Sequence, residues 1–588
     1  MHRKSLLPST LLHLLAFFVI QCESQQKAEK QEEKKELSST KKKAQGPIFQ
    51  KMDAPSMGIK FNNRLKENID FNSFTYDYLY NGGGVAAGDI DNDGLVDLYF
   101  TGNQVKNRLY KNLGNWRFKD ITAQAQVEAE YSWSTGACMV DVNGDGYLDI
   151  YVCRSFTEDH GVNKNLLYIN SGKGSFVESA AAYGLDDAGF SVQASFFDYD
   201  LDGDLDVFMG NHPKEFRGKI GARYKKWLNP PQEESNHFYR NNGDGSFTDV
   251  TEEAGLLSYD FTLGIVTADM NGDSYPDIYL SNDYEFPDRF YVNQGDGTFK
   301  EEAIKSFRHT SHFSMGTDYA DVNNDLFPDL VAVDMVAEDN YRSKTMMPSM
   351  SIDAFWGLVN LGYNYQYMRN SLQLNQGYGV FAEVGQLAGI AKTDWSWSVL
   401  LADFNLDGWN DMYITNGYFR DTRNVDYGKY FEKTYGTEAT ITEELIQEVL
   451  PKIPRQKINN YYFENQKDLH FKDKSQEMGI NHPSYSNGAV YADLDNDGDL
   501  DLAVSNLEEN AFIYKNLSRE KKMGNYLSIA LEGKGANTNG LGASLIVKTG
   551  DQVQHRQHMI SRGYQSGVSN QIHFGLGASN QVDELLVV

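Results

Sequence analysis

At 588 residues, with 13% aromatic side chains, the chain has ample material for a large core and does not read as disordered. A formal net charge of -28 excludes nucleic acid as a partner, because its phosphates would be repelled. Three cysteines exclude a disulfide-stapled scaffold.

The N-terminus reads as an address. Arg3 and Lys4 precede an apolar run from Leu6 to Ile20, which is too short to span a membrane comfortably and fits a secretory signal. Val19-Ile20-Gln21-Cys22 resembles a bacterial lipoprotein box, which implies a leader over 1–22 and lipidation at Cys22; an ordinary signal peptide is the alternative. Residues 23–46, rich in Lys, Glu, Gln and Ser, are expected to form a charged flexible tether. The expected location is secreted or cell-surface, as an outer-membrane lipoprotein of a bacterium, touching the membrane only through that anchor.

From residue 47 onward one nine-residue pattern, Asp-x-(Asp/Asn)-x-Asp-(Gly)-x-x-Asp, recurs seven times. Its oxygen-bearing positions 1, 3, 5 and 9 are Asp89, Asp91, Asp93 and Asp97; Asp141, Asn143, Asp145 and Asp149; and Asp198, Asp200, Asp202 and Asp206. The series continues with Asp269, Asn271, Asp273 and Asp277; Asp321, Asn323, Asp325 and Asp329; Asp403, Asn405, Asp407 and Asp411; and Asp493, Asp495, Asp497 and Asp501. Small and apolar residues precede each loop, as in Gly84-Val-Ala-Ala-Gly, and a β-rich run such as Leu98-Tyr-Phe follows it. A second signature, close to Asn-x-Leu/Phe-Tyr-x-Asn-x-Gly-x-Gly-x-Phe, comes next, for example from Asn107 to Phe118. One unit therefore reads as four antiparallel strands, the blade of a β-propeller. Cys138 and Cys153, on the strands flanking the second loop, are either two buried thiols or a cross-strand pair.

Hard oxygen ligands at four fixed offsets point to calcium. A helix–loop–helix site would need a bidentate Glu at position 12, but that position is apolar in every copy, from Phe100 to Val504. The loop is therefore a strand–loop–strand site, with position 7 giving its backbone carbonyl and glycine at position 6 making the sharp turn. Ser274 and Leu326 replace that glycine in the fourth and fifth copies, where weaker occupancy is expected. Up to seven structural Ca2+ ions follow, and no catalytic metal, since the cages lack histidine and repeat around the ring.

The last unit lacks its closing Phe strand, whereas a spare copy, Phe49 to Gly58-Ile59, precedes the first loop. The N-terminal strand should therefore complete the seventh blade and leave no open sheet edge. Connections between second and third strands are long at 210–236, 334–370 and 416–460, all on the face opposite the acidic loops. The last contains a predicted helix from Thr440 to Leu450. The fifth-blade insertion carries Trp356, Tyr363, Tyr365 and Tyr367, which either pack it onto the ring or bind a ligand. His309 and His312 have no third metal ligand nearby.

The blades resemble the FG-GAP or VCBS repeats of the integrin α-subunit propeller over roughly residues 49–517. Asn525-Tyr-Leu-Ser-Ile-Ala-Leu-Glu-Gly, Gly540-Leu-Gly-Ala-Ser-Leu-Ile-Val and His573-Phe-Gly-Leu-Gly resemble an ASPIC/UnbV domain. Together these parts are similar to the cartilage acidic protein family and its bacterial relatives. The resemblance implies an extracellular calcium-binding protein with adhesion or ligand-binding roles and supplies no catalytic residues. The expected organisation is all-β: a seven-bladed propeller of four-stranded antiparallel blades over 47–518, closed by the N-terminal strand. A small β-rich domain over 519–588 follows, apparently truncated at Leu585-Leu-Val-Val.

Two functional classes follow. The first is a non-enzymatic surface protein that binds a glycan or protein ligand for adhesion or polysaccharide capture. The second is a polysaccharide lyase or hydrolase with its site on the insertion face. No His-Glu-x-x-His helix, Gly-x-Ser-x-Gly elbow or phosphate loop is present, and two non-loop carboxylates sharing a pocket would distinguish the classes.

Overall fold

A computed structural model describes residues 46–69, 71–129, 133–155, 163–216, 220–346, 351–436 and 442–588. The leader, most of the tether and Cys22 lie outside the described residues. From Ile48 to Val588 the chain forms one compact unit.

Each acidic loop joins two antiparallel strands of a sheet; among the described residues five of these sheets have four strands, that of the first loop has six and that of the sixth loop has five. In the first, Val85–Gly88, Asp97–Phe100, Arg108–Asn112 and Phe118–Asp120 pair in that order, with Val85 opposite Phe100 and Leu98 opposite Tyr110. The first strands of successive sheets pack on one another, and the seventh, Ser486–Ala492, packs back on Val85–Gly88. The sheets thereby close into the expected all-β propeller. First and second strands are buried along their length, whereas the fourth buries only its leading Phe, as at Phe118, Phe176 and Phe247. Burial on every side explains why most first-strand residues are apolar or small, with Gln193 and Asp318 as buried polar exceptions.

Two devices join neighbouring sheets. The third strands end on an Asn whose side chain reaches back to the preceding acidic loop. Asn112 Nδ2 donates to Leu494 O at 2.8 Å, and Asn170, Asn293, Asn375, Asn465 and Asn516 repeat this bridge. The recurring Asn of the second signature is thus an inter-blade bolt.

The other device is the N-terminal strand. Phe49–Lys51 pairs antiparallel with Phe512–Asn516, with Phe49 opposite Asn516, and completes the seventh sheet as expected. The buried Phe49 ring sits 5.7 Å from Phe404 and 6.5 Å from Tyr514, joining the sixth and seventh sheets. A helical turn, Ala54–Met57, follows and ends at Gly58 with φ 103°. A Cβ there would lie 2.0 Å from Phe118 O, so both the conformation and the space require glycine. Deleting residues 47–60 should therefore lower the unfolding temperature of the whole ring. Protease resistance unchanged by the deletion would refute this.

The C-terminal part builds a small sheet pair around Leu545, Val547, Ile572, Phe574 and Leu576. Between Gln552–Gln557 and Ile572–Gly577 it sends a hairpin, Ser561–Arg562 and Ser566–Gly567, into the middle of the ring. Gly567 pairs in parallel with Ala86 of the first sheet, and Gln565 O accepts from Ala137 N of the second. Ser561 Oγ donates to Ala194 O of the third at 2.8 Å, and Gly563 N donates to Thr317 O of the fifth at 3.0 Å. The hairpin also packs on the fourth and seventh first strands.

The insertions fall in the three expected connections. They carry helices Ile220–Leu228, Ile352–Asn360, Val425–Tyr435 and Glu443–Val449. The last begins after Thr442, whose side chain caps it by accepting from Leu445 N; the first two residues of the expected Thr440–Leu450 lie outside the described residues. Cys138 and Cys153 are buried free thiols, and Cys138 faces Tyr151 across the ladder.

Candidate metal loops and the axial cleft

The acidic loops share one backbone design. The position-1 carboxylate accepts the amides of positions 5 and 6: Asp93 N donates to Asp89 Oδ1 at 3.1 Å and Gly94 N to Asp89 Oδ2 at 2.7 Å. Asp141, Asp198, Asp269, Asp321, Asp403 and Asp493 do the same. The position-9 carboxylate is buried and accepts the amides of position 2 and of the signature Asn, as in Ile90 N to Asp97 Oδ2 at 3.1 Å and Asn112 N to Asp97 Oδ1 at 2.7 Å.

Position 6 is left-handed in every loop, including Ser274 at φ 77° and Leu326 at φ 74°, where a side chain makes the conformation strained. Position 4 is left-handed as well, from Asn92 to Asn496, a regularity its varied residues conceal in the sequence. The position-4 asparagines link neighbouring loops: Asn92 Nδ2 donates to Gly146 O, Asn324 Nδ2 to Gly408 O and Asn496 Nδ2 to Gly94 O.

This design gathers like charges. One oxygen each of Asp89, Asp91 and Asp97 lie within 4.8 Å of one another, as do those of Asp198, Asp200 and Asp206, and of Asp493, Asp495 and Asp497. The second, fourth, fifth and sixth loops have an Asn amide oxygen at position 3 instead. Burial, reinforced by the neighbouring carboxylates, lifts Asp97, Asp206 and Asp277 to about 8, despite the backbone amides that favour ionisation. Asp149 and Asp403 rise to about 7 for the same reasons.

Basic side chains lean on three loops. Lys111 pairs with Asp91 and Asp93, Lys467 lies 3.1 Å from Asp407, and Lys515 lies 2.5 Å from Asp495. Asp495 Oδ1 is buried without a hydrogen-bond partner. The donor set is all hard oxygen, and two ligands across a calcium ion sit about 4.6–5.2 Å apart, so the residues fit Ca2+. Bound there, the ion would neutralise the cluster and cross-link the strand ends.

The C-terminal part lies over this face. Thr538 Oγ1 donates to Asp141 Oδ2 at 2.6 Å, Asn537 N to Gly203 O at 2.9 Å and Gln552 Nε2 to Gly408 O at 2.8 Å. His573 Nε2 meets Gly498 O at 3.1 Å, and Gly577 N donates to Leu406 O at 2.9 Å. These contacts join residues from 75 to 397 positions apart, and nothing local in the sequence announces them.

On the opposite face, at the axis, a cleft of about 470 Å³ is bordered by Phe74, Asp77, Phe216, Tyr284, Tyr418 and Arg423. It adjoins a deeper cavity of about 80 Å³, where Asp77 and Arg423 recur beside Asp283, Trp395 and Trp397. Tyr418 stacks on Trp395 with ring centroids 3.8 Å apart. Tyr284 OH donates to Asp77 Oδ2 at 3.0 Å, and Tyr78 OH donates to Asp283 Oδ2 at 2.9 Å. Burial lifts the Asp283 carboxyl to about 6 against these hydrogen bonds. The buried tip of the axial hairpin, Tyr564, lies 5.0 Å from Trp397, so the C-terminal part underlies this cavity.

The aromatics of the fifth-blade insertion, left by the sequence as either packing or ligand-binding residues, are divided by the structure. Trp356, Tyr365 and Tyr367 are exposed around Phe355, whose centroid is 5.3 Å from that of Trp356 and 5.5 Å from that of Tyr367. Tyr363 is separated from them: it is buried, 4.5 Å from Trp227 of the helix Ile220–Leu228, and packs the fifth-blade insertion against the third-blade one. His309 meets Glu383 at 2.9 Å in an ion-pair geometry that also includes Arg369, while His312 is half-buried. The sequence did not single out the axial residues, most of which lie in connections outside the repeat, with Trp395 and Trp397 at the start of a first strand; the one signal was the aromatic run Tyr76-Asp-Tyr-Leu-Tyr ahead of the first blade.

Comparison with known proteins agrees with this architecture. A family described as ASPIC and UnbV matches residues 533–588, and one described as FG-GAP-like repeat matches 89–152 and 227–280. Cartilage acidic protein 1 of Xenopus tropicalis is 26% identical over 262 residues, covering 43% of this chain and 36% of that protein. The Mus musculus protein of the same name is 24% identical over 226 residues, covering 38% and 32%. The matched region thus spans about a third of the length of these relatives.

Among solved structures, an Agrocybe aegerita lectin described as recognising non-reducing terminal N-acetylglucosamine gives a TM-score of 0.35 at 15% identity, over 72% of this chain and 85% of the lectin. The Photorhabdus luminescens Tc holotoxin pore gives 0.29 at 13% identity, over 77% of this chain and 18% of the toxin chain. No helix among the described residues is long and apolar enough to cross a membrane.

Proposed function

We propose that the protein is a non-enzymatic, calcium-binding propeller of the extracellular space or cell surface that captures a glycan through the axial cleft. Its parts are a leader over 1–22 lipidated at Cys22, a tether over 23–46, the ring over 47–518 and a β-rich domain over 519–588. Calcium at the seven loops is structural. The observation that carries the ligand reading is the chemistry of the cleft: the aromatic rings of Tyr284, Tyr418 and Phe74 stand beside the Asp77 carboxylate, the Arg423 guanidinium and the Thr422 hydroxyl. A sugar presents the complementary pair, an apolar ring face and a hydroxyl edge. Rigid aromatic platforms with a few polar groups are what a small-ligand site requires.

The test is a glycan array probed with the full chain in calcium, followed by titration of a bound sugar. Arg423→Ala should weaken binding by about tenfold or more, the cost of losing a hydrogen bond from a charged donor. Binding that survives this change but falls with Trp356→Ala would move the site to the fifth-blade insertion. Silence on the array from folded protein would favour a protein ligand and adhesion.

One observation favours the enzymatic alternative. Asp77 and Asp283 border the same cavity, and burial holds Asp283 up to about 6. Two carboxyl groups in unlike environments are what acid–base cleavage of a polysaccharide needs. In that case Asp283→Asn would keep sugar binding and abolish the release of reducing ends. No such release from any bound glycan would retire the reading.

A further inference from the structure

We infer a second divalent-cation site beside the seventh acidic loop, formed by Asp497, Asp499 and Glu520, so that this loop holds two calcium ions. The inference rests on reading the acidic loops as calcium sites. Asp499 stands at position 7, where the nine-residue pattern asks only for a backbone carbonyl. Here it brings a carboxylate that is fully buried. Its Oδ2 accepts from Arg519 N at 2.8 Å, and its Oδ1 is buried with no hydrogen-bond partner. Leaving such an oxygen without a donor is costly, and a cation is one of the few groups that would satisfy it.

The surrounding oxygens fit that cation. One oxygen each of Asp497, Asp499 and Glu520 lie within 4.8 Å of one another, beside the cluster of Asp493, Asp495 and Asp497. Asp497 belongs to both groups and would bridge the two ions. Each group also has its own unpartnered buried oxygen, Asp495 Oδ1 in the first and Asp499 Oδ1 in the second. Three carboxylates in one cluster suit calcium, which takes many protein oxygens, better than magnesium, which keeps several of its waters.

Charge supports a second ion. Asp493, Asp495, Asp497, Asp499, Asp501 and Glu520 converge here, and the facing ammonium is that of Lys515, 2.5 Å from Asp495, 3.3 Å from Asp497 and 2.8 Å from Glu520. The Arg519 guanidinium turns away, donating to Gly524 O at 2.7 Å. One calcium ion and Lys515 would leave half of this negative charge unbalanced; a second divalent ion leaves a single charge. The third loop also has an aspartate at position 7, Asp204, with a buried unpartnered Oδ1, but its acidic cluster draws on Asp198, Asp200 and Asp206 alone. Glu520 makes the difference. It lies in the turn that follows the last blade strand, Phe512–Asn516, and leads into the C-terminal part. A cation there would fasten that turn to the ring.

The test is calcium stoichiometry of the full chain after equilibrium dialysis, read by elemental analysis. Glu520→Gln and Asp499→Asn should each bind one equivalent less than the wild type. Glu520 is exposed, so its substitution should leave the fold intact, which circular dichroism would check. Retention of the wild-type count by either folded variant overturns the second site while leaving the loop reading standing. A wild-type chain that binds no calcium overturns both.

Discussion

Replacing Arg562 with Ala should lower the stability of the whole ring by about 3–5 kcal/mol, because it strands a buried charge at the axis. Arg562 enters on the C-terminal hairpin and grips Asp318 of the fifth first strand with two bonds, Nε to Oδ1 at 2.7 Å and Nη2 to Oδ2 at 3.1 Å. Asp318 is fully buried and also accepts Leu401 N at 2.7 Å and Tyr319 N at 2.9 Å. These amides hold the carboxylate in place but cannot supply its counter-charge. For a unit of this size, 3–5 kcal/mol corresponds to a shift of about 3–5 °C in unfolding temperature.

The double variant Arg562→Met with Asp318→Asn removes both charges and should recover much of the loss, since the two residues form one unit. A single variant that melts with the wild type would show that the hairpin is not integral to the ring. The same hairpin carries Tyr564 to the underside of the axial cavity, so loss of the grip should also weaken any ligand held there.

The repeat was legible because seven copies of one pattern impose the same physics seven times. Side-chain oxygens at fixed offsets, apolar residues at position 12 and glycine at position 6 can be satisfied together only by a strand–loop–strand turn. The N-terminal closure was legible for a related reason: a closing signature, Phe49 to Gly58-Ile59, was surplus at one end and missing at the other. What could not be read is what occurs once. The axial hairpin, the bridge from Thr538 to Asp141 and the meeting of Asp77 with Asp283 join elements more than two hundred residues apart. They obey no period. Tyr363 shows the same limit from the other side: it reads like its neighbours Tyr365 and Tyr367, yet it alone turns inward, onto Trp227.

Removal of calcium should produce the larger effect. If each loop binds at roughly 10–100 µM in about 1 mM calcium, linkage contributes on the order of 1.5–3 kcal/mol per site. Over most of the loops this is about 10–20 kcal/mol, comparable to the whole stability of a domain. A chelator should therefore lower the unfolding temperature by about 10–20 °C.

The loops themselves predict how a variant should behave. Asp493, Asp495 and Asp497 hold like charges within 4.8 Å, and burial and Asp497, the first causes, raise Asp493 to about 6. Changing all three to Asn leaves position 1 a single oxygen for the amides of positions 5 and 6, which now take one carboxylate oxygen each, and removes the charge. In calcium this variant should be less stable than the wild type by on the order of 2 kcal/mol or more, having lost its ion. In chelator the order should reverse or vanish, because the wild type alone then carries the uncompensated repulsion. Equal unfolding temperatures in calcium would sink the structural role of the metal. A deficit of the same size in calcium and in chelator would assign the loss to the turn itself.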